Sequence, residues 1–489
     1  MKKFKTLYFA LSLAMFLPFG CTKGFDELNI NPNAPTEVDT DYLFTRCVIR
    51  TFDDYLVGVN TEIWSLMVWT QQLADLAGIQ QQGAEYSYGN EWAEQTWTVW
   101  YTDVVANLNE IIRLTENDET LVNKLAVARI WKVYVFHRIT DLWGDVPYSE
   151  AGNGNSKTDK NLTPIYDTQS EIYEDMLSEL KEASSSLNND YQTYDASDPI
   201  YDGDINSWRR LANSLRLRLA IRISTANPTH AREVVEELMV ENDFITNNAD
   251  AAYFPFSSEA RSPFFSLYDL NQGERRPSYF LVEKLKSTND PRLIVLTEKA
   301  AISQILGTDI YEGVPNLLTF EEIENENFSD ISTSTVGTRF LDIDKKGIIF
   351  SFSELCFLQA EVAMKGWGAP LSAEQHYENG IVSSMEYYGI ESDSTNNYLA
   401  GIGAFDGTTE QIINQKWLAL LYQDPYESYA EYRRTGFPVL FQYDGSEVNE
   451  NDFPQRIAYP QSEINLNRAN VTAVGEGIND SKTKLWWAK

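Results

Sequence analysis

Amphipathic segments that come in pairs, each pair joined by a short turn, most restrict the fold of this 489-residue chain. Residues 351–366 and 372–388 carry apolar side chains at helical spacing, and the turn WGAPL between them contains glycine and proline. The same pattern occurs in two further pairs, residues 98–116 with 121–140 and residues 167–187 with 206–226. Such pairs are typical of tetratricopeptide-like hairpins, so the sequence predicts a mainly α-helical protein.

Residues 250–345 differ from these pairs because they show no sustained periodicity. They are rich in Gly, Pro, Asn and aromatic residues, and residues 337–352 form the best strand candidate. We expect long loops with a small sheet in this region. Long loops on a rigid scaffold often carry binding residues, so the region is a candidate for ligand binding.

The charge balance excludes some classes of partner. The chain has 72 acidic and 39 basic residues, which gives a formal net charge of −33. Nucleic-acid binding and binding of the protein body to anionic lipid both need clustered Lys and Arg. Residues 209–224 contain five arginines, but they lie in an amphipathic helical pattern. We therefore expect these arginines to pair with acidic residues on neighbouring helices.

The N-terminus has the pattern of a secretory signal. Three lysines precede an apolar run at residues 7–19, which is shorter than the roughly 20 residues that a membrane-spanning helix needs. Gly20 and Cys21 follow this run. This order favours a bacterial lipoprotein, in which residues 1–20 are removed and Cys21 is acylated. An ordinary signal peptide with an incidental cysteine is the alternative. Residues 21–40 would then form a lipidated leash before a single helical domain at residues 41–489.

Few residues in the chain are candidates for catalysis or metal binding. Cys47 and Cys356 are too few for a disulfide framework and are expected to be buried thiols. The three histidines have no partners at metal-ligand spacing, and His137 lies in an apolar helical segment. No nucleophile motif or glycine-rich phosphate loop is present. The sequence predicts no enzyme activity, no metal and no cofactor.

Ten segments, in order along the chain, resemble the SusD/RagB family of nutrient-binding outer-membrane lipoproteins of Bacteroidota, in its SusD-like branch. They are CTKGFDELNINPNAPT (21–36), WYTDVVANLNEI (100–111), ITDLWGDVPYSEA (139–151), IYDTQSEIYEDML (165–177), DGDINSWRRLANSLRLRLAIRIS (202–224), DPRL (290–293), SELCFLQAEVAMKG (353–366), INQKWLALL (413–421), EYRRTGFPVL (431–440) and QRIAYPQSEINLN (455–467). Several of these segments are weak signals alone, but their order makes the resemblance specific.

The resemblance implies a SusD-like fold with about four tetratricopeptide-like hairpins, long loops and a small β element. It implies a cell-surface lid of a SusC-type TonB-dependent transporter that binds an oligosaccharide or, in some members, a peptide. It also implies no catalysis and no cofactor. Cys21 would be the lipid anchor in the outer membrane. Lys23, Asp26 and Glu27 partly resemble the signal that directs such lipoproteins to the cell exterior.

In family members, the loop before the WYTDVVANLN helix carries ligand-binding residues. Here this loop is residues 76–97, and a second candidate segment is residues 261–280. Aromatic faces can stack on sugar rings, while amides and charged groups can bind sugar hydroxyls. The predicted ligand-binding residues are Tyr86, Tyr88, Asn90, Trp92, Tyr268, Asn271 and Arg275. Packing in the core or against the transporter is the alternative for each aromatic.

The sequence leaves two other functions open. One is a surface glycoside hydrolase with a helical fold, because paired carboxylates can hydrolyse glycosides. With 72 acidic residues, however, finding such a pair in the sequence carries little information. The other is a structural or adhesive surface protein that carries no nutrient. The sequence also leaves open whether the ligand is a glycan or a peptide.

Overall fold

Helices dominate the part of the chain that the computed structural model describes, which comprises residues 39–76, 86, 89–155, 161–269, 275–474 and 479–489. The prediction of a mainly α-helical protein is therefore confirmed. Thr40–Lys489 form one compact unit. The predicted signal peptide, Cys21 and all but the end of the predicted leash lie outside the described residues.

The helices are numbered here in chain order. The first group is α1 Thr40–Thr51, α2 Met67–Trp69, α3 Asn90–Thr98, α4 Ala106–Thr115, α5 Val122–Trp143, α6 Gln169–Ser186, α7 Ile205–Arg222 and α8 Pro228–Glu241. The middle group is α9 Pro263–Asp269, α10 Tyr279–Ser287, α11 Leu293–Leu296, α12 Ser303–Leu306 and α13 Phe320–Asn325. The last group is α14 Phe352–Lys365, α15 Ala373–Tyr387, α16 Ser392–Ile402, α17 Thr409–Ala419, α18 Pro425–Thr435, α19 Gln461–Leu466 and α20 Arg468–Ala473.

The pairs of helices predicted from the sequence are present. Helix α14 packs against α15, α4 against α5, and α6 against α7. Ser372 and Gln375 form a capping box that starts α15, which satisfies two free backbone N–H groups. Gly380 allows α15 to approach α14 closely, because a Cβ atom there would lie 2.6 Å from the Phe357 ring. These hairpins bury most of their apolar faces against one another.

Three of the five arginines of α7 form ion pairs with acidic residues of other helices, as predicted, whereas Arg210 pairs with Asp250 in a turn. Arg218 pairs with Glu354 at 2.6 Å, and Arg222 pairs with Glu427 at 2.5 Å. Lys416 also contacts Glu427, at 2.7 Å. Arg209 differs, because it donates hydrogen bonds to backbone carbonyl oxygens such as that of Leu187. Buried ion pairs thus connect α7 with helices more than 130 residues later in the chain.

Residues 250–345 contain more helix than the sequence predicted. Two strands, β2 Ala252–Pro255 and β4 Lys346–Phe350, form an antiparallel sheet. Helices α9–α13 come between these two strands in the sequence. Each of these five helices has nine residues or fewer. Helices of two turns or less do not produce a sustained apolar period, which is why the sequence pattern did not reveal them.

Two π-helical segments, Asp54–Leu66 and Val99–Val105, interrupt the regular helices. The sequence pattern did not predict them, because the α-helical period does not distinguish a wider backbone spiral. Gly58, in the first segment, lies against Pro263 of α9, and a Cβ atom at Gly58 would come within 2.2 Å of the proline ring. Glycine therefore permits the contact between this π-helix and α9.

The structure confirms two smaller predictions about the core. Cys47 and Cys356 are free, buried thiols. Nδ1 of the buried His137 ring lies 2.8 Å from the carbonyl oxygen of Tyr134, so this core histidine has a hydrogen-bond partner.

Within the described ranges, no helix is long and apolar enough to cross a membrane. Within the same ranges, no three His, Cys, Asp or Glu residues are grouped as metal ligands.

Candidate functional site

The two segments predicted to bind a ligand meet at a short strand pair. Strand β1, Leu73–Asp75, directly precedes the first segment, and β3, Arg275–Pro277, lies near the end of the second. The strands are antiparallel, with Leu73 opposite Pro277 and Asp75 opposite Arg275. A pairing between residues about 200 positions apart thus brings the residues just before the first segment next to the end of the second.

Arg275 joins these two strands through a buried ion pair. Its Nη1 atom lies 2.6 Å from Oδ2 of Asp75, and both side chains are 3% exposed. Tyr268 lies nearby and donates a hydrogen bond from its hydroxyl to the carbonyl oxygen of Arg275, at 3.3 Å. Both residues therefore contribute to the framework of the site. A direct contact of either residue with a ligand stays a prediction.

Tyr86 lies at the edge of an open cleft of about 380 Å³. Its side chain is 8% exposed, and its ring packs 5.3 Å from that of Phe453. Burial raises the pKa of the Tyr86 hydroxyl far above its usual value. Besides Tyr86, the cleft is lined by Leu317, Gln442, Val448, Asn449, Asp452 and Lys482. The polar side chains among them offer amide, carboxylate and ammonium groups to a polar ligand.

Trp92 lies on α3 and is half-buried. Its ring is 5.3 Å from that of Trp64, and it packs against an apolar cluster that Tyr268 also contacts. Asn90 is the first residue of α3. Tyr88 and Asn271 lie outside the described residues. Of the predicted ligand residues, Trp92 and Tyr268 are thus brought to the same cluster, and their contact with a ligand stays a prediction.

A hairpin at residues 440–448 presents two aromatic rings that are not among the ligand residues predicted from the sequence. Phe441 and Tyr443 are 40% and 38% exposed. Gln442 donates a backbone hydrogen bond to Ser446, at 2.7 Å, and Phe441 pairs with Glu447 in an isolated antiparallel bridge. Large aromatic side chains with this exposure are candidates for binding a partner or ligand.

The Tyr443 ring lies between two further aromatic rings. Its centroid is 5.4 Å from that of Tyr279 and 5.8 Å from that of Phe328, and both pairs are close to perpendicular. Tyr279 is the first residue of α10 and directly follows Ser278 at the end of β3. We call Tyr279, Phe328, Phe441 and Tyr443 the aromatic patch. Gln442, which stands between Phe441 and Tyr443 in the chain, lines the neighbouring cleft.

Hydrogen bonds from the Gln71 side chain hold the hairpin beside the strand pair. Gln71, which precedes β1, donates from Nε2 to the carbonyl oxygen of Phe441, at 2.8 Å. Its own Oε1 accepts a bond from the backbone N–H of Phe441. Ser278 donates its backbone N–H to Gln72, at 3.2 Å. The patch therefore rests on regular elements at its base, which favours a preformed site.

A model of the SusD-like family, described as "Starch-binding associating with outer membrane", matches residues 32–460. The chain belongs to the SusD-like family. This assignment confirms the resemblance found in the sequence. No curated protein matches the chain.

Solved structures show the same SusD-like fold. A chitin-binding protein is 28% identical to this chain, with a TM-score of 0.81, and the alignment covers 92% of this chain and 100% of that one. A SusD homologue from Bacteroides uniformis is 25% identical, with a TM-score of 0.74 and coverage of 92% and 98%. A chitin-binding SusD homologue from Flavobacterium johnsoniae is 23% identical, with a TM-score of 0.77 and coverage of 91% and 98%. The last likeness is evidence for the fold alone.

A local signal for the hairpin is present in this SusD-like sequence, although its aromatic residues were not predicted to bind a ligand. Residues 441–445 read FQYDG, in which two aromatic residues alternate with a polar one before an Asp-Gly turn. This pattern is typical of a β-hairpin with both aromatic side chains on one face. Gly445 has a φ of +85°, which glycine adopts readily. The contacts of Tyr443 with Tyr279 and Phe328, in contrast, have no local sequence signal.

Proposed function

We propose that this chain binds an oligosaccharide at the cell surface and acts as the lipid-anchored lid of a SusC-type TonB-dependent transporter in the outer membrane. The observation that carries the proposal is the aromatic patch beside the β1–β3 strand pair. Membership of a family described as starch-binding supports a carbohydrate ligand. So does the similar solved structure that is 28% identical and named as a chitin-binding protein.

The patch and the cleft offer the two kinds of contact that a sugar chain requires. A sugar ring has an apolar face of C–H groups, which can lie against an exposed ring such as that of Phe441 or Tyr443. The hydroxyl groups of the next sugar can reach Gln442, Asn449 and Asp452 in the cleft. The hairpin thus offers aromatic contacts through Phe441 and Tyr443 and a polar contact through Gln442.

Capture for transport requires binding that is reversible. We expect affinities from micromolar to millimolar for the isolated chain, which is about 4–8 kcal/mol. Ligand would favour the closed state of the lid and transporter only through a higher affinity for that state. The proposal assigns no catalytic residue and no cofactor to the chain.

Arrays of glycans and peptides, probed with the purified mature chain, test the ligand class. We expect binding to oligosaccharides and little binding to peptides. Binding to peptides alone, or to neither class, would contradict the proposed capture of carbohydrate. Incubation with each bound glycan, followed by chromatography, should return it intact. Release of shorter products would identify a glycoside hydrolase instead.

Replacement of Cys21 by Ala tests the anchor and the lid role together. We expect Cys21→Ala to move the protein from the outer-membrane fraction to the soluble fraction with an unchanged melting temperature, because residue 21 precedes the compact unit that begins at Thr40. Cys47→Ala is the matched control and should stay in the membrane. The wild-type chain, isolated in mild detergent, should bring a large β-barrel protein with it. Retention of Cys21→Ala after a high-salt wash would refute the lipid anchor, and recovery of the wild type alone would count against the lid.

A further inference from the structure

The carboxylates around the aromatic patch make its surroundings acidic. Glu326 is exposed, lies two residues before Phe328 and contacts the Tyr443 hydroxyl. Glu312 lies two residues before Val314, whose carbonyl oxygen accepts a hydrogen bond from the backbone N–H of Tyr279 at 2.8 Å. Asp444 follows Tyr443 in the hairpin turn and accepts a hydrogen bond from the backbone N–H of Ser446. These three carboxylates lie on different segments, and each is within two residues of a patch residue or of Val314, the backbone partner of Tyr279.

These carboxylates affect the pKa of Tyr443, the tyrosine at the centre of the patch. Desolvation and the nearby Glu326, Tyr279 and Glu312 side chains raise the pKa of the Tyr443 hydroxyl above its usual 10.0. Burial likewise raises the pKa of Glu312 above 4.5, with Lys286 opposing the shift and Glu283 adding to it. Additional negative charge at the patch is therefore unfavourable.

Three basic side chains beside the patch are already engaged by acidic residues, whereas Lys284 donates to the Asn414 amide and Lys482 in the cleft donates to the carbonyl oxygen of Asp452. Arg275 pairs with Asp75, Arg276 pairs with Asp330, and Lys286 pairs with Glu283. Within the described part of the chain, no Lys or Arg side chain lies within ion-pair distance of Glu326 or Glu312. An excess of negative charge is therefore left at the surface where a ligand would stack.

We propose that this patch selects its oligosaccharide by charge, binding sugars that carry a free amine most tightly and rejecting sugars that carry a carboxylate. The inference rests on the proposed function, because it assumes that sugar rings stack on the patch. A protonated sugar amine can pair with Glu326 while its ring lies on Tyr443. Such a cation near an aromatic face is also attracted by the ring itself. A sugar carboxylate in the same position is repelled by Glu326 and Glu312, and neither of these acids forms an ion pair with a Lys or Arg among the described residues.

The expected size of the selectivity follows from simple electrostatics. Two unit charges about 5 Å apart in water interact strongly enough to change an affinity about fourfold. Two or three carboxylates acting on one ligand charge should therefore change the affinity about tenfold or more. The effect should weaken with salt, because the screening length falls from about 10 Å at 0.1 M to about 3 Å at 1 M.

Three β-1,4-linked glucosamine hexamers provide a matched set of probes. One carries N-acetyl groups and is neutral, one carries free amines, and one carries N-succinyl groups and is anionic. Binding to the full mature chain is measured by calorimetry at about pH 6, where glutamates are ionised and the sugar amines are protonated. We expect the amine form to bind at least tenfold more tightly than the N-acetyl form, and the N-succinyl form at least tenfold more weakly. Both ratios should shrink in 1 M salt.

Two variants attribute the selectivity to named side chains. In Glu312→Gln/Glu326→Gln, the ratio of amine to N-acetyl affinity should fall severalfold. In Glu236→Gln, which removes an exposed acid on α8 that pairs with Arg232, the ratio should stay unchanged. Equal affinities for the three probes, a preference for the anionic probe, no binding of any of them, or an unaltered ratio in the double variant would overturn charge selection at the patch. If the arrays still show other glycans bound, the proposed capture of carbohydrate stands while the charge selection fails.

Discussion

Glu427→Gln is expected to lower the free energy of unfolding by about 3–5 kcal/mol, because it removes a carboxylate shared by three buried cations and leaves them carboxylates such as Glu354 and Glu431 at longer or already shared distances. The Glu427 carboxylate lies 2.5 Å from Arg222 and 2.7 Å from Lys416, and Arg218 lies 3.7 Å away. All four side chains are about 1% exposed. Glutamine keeps the volume of the side chain but removes its charge, so packing changes little while the electrostatic balance is lost.

The pH dependence of stability gives this prediction a second readout. Burial alone would raise the pKa of Glu427, but the charges of Arg222, Lys416 and Arg218 hold this pKa well below its usual 4.5. A carboxyl group with a depressed pKa in the folded state stabilises the fold at pH values above 4.5. That contribution is lost as the pH falls through the folded-state pKa. The difference in stability between wild type and Glu427→Gln should therefore be full near neutral pH and shrink in acid.

Chemical denaturation of wild type and variants measures the effect. Glu236→Gln, which breaks an exposed ion pair on α8, is the control and should cost less than about 1 kcal/mol. In the double variant Glu427→Gln/Lys416→Met, one buried cation and one buried anion are removed together. We expect its loss in the free energy of unfolding to be smaller than the sum of the losses caused by Glu427→Gln and Lys416→Met alone. A loss for Glu427→Gln no larger than for Glu236→Gln would show that this buried cluster does not support the fold.

Local patterns in the sequence were sufficient to predict the helical hairpins and the pairing of the arginines on α7. Helices such as α14 and α15 are long enough to repeat an apolar stripe several times, and a short turn between them leaves few possible arrangements. Arg218 and Arg222 lie on a mostly apolar helix of an acidic protein, where an unpaired charge is costly. In both cases the physical constraint acts within one helix or one hairpin.

The surroundings of the predicted ligand residues depend on contacts between distant segments, which the sequence pattern does not contain. Arg275 was selected as a ligand residue from its position in an aromatic segment, but its side chain is buried against Asp75 across the strand pair. Tyr443 was not selected, although Tyr279 and Phe328 converge on its ring from segments more than 100 residues away. The composition of a segment does not reveal which of its aromatic residues are exposed.

Tyr443→Ala is expected to weaken oligosaccharide binding about tenfold and to leave thermal stability almost unchanged. One stacked aromatic ring contributes about 1–2 kcal/mol through area burial and ring contact, and 1.4 kcal/mol corresponds to tenfold in affinity. The ring is 38% exposed in a surface hairpin, so its loss removes little core packing. Tyr443→Phe keeps the ring and should keep the affinity within about threefold.

Trp92→Ala provides the contrasting case, because the Trp92 side chain is half-buried against Trp64. We expect this change to lower the free energy of unfolding by about 2 kcal/mol, since part of a large ring leaves the apolar cluster. Calorimetric titration with the oligosaccharide that binds best on the array, together with thermal melts of all three variants, measures both effects. Unchanged binding by Tyr443→Ala would exclude the patch as the sugar platform. If Trp92→Ala melts at the wild-type temperature but no longer binds the oligosaccharide, the sugar contacts Trp92 instead. A ring whose removal costs no stability is not needed for packing and is free to contact a ligand.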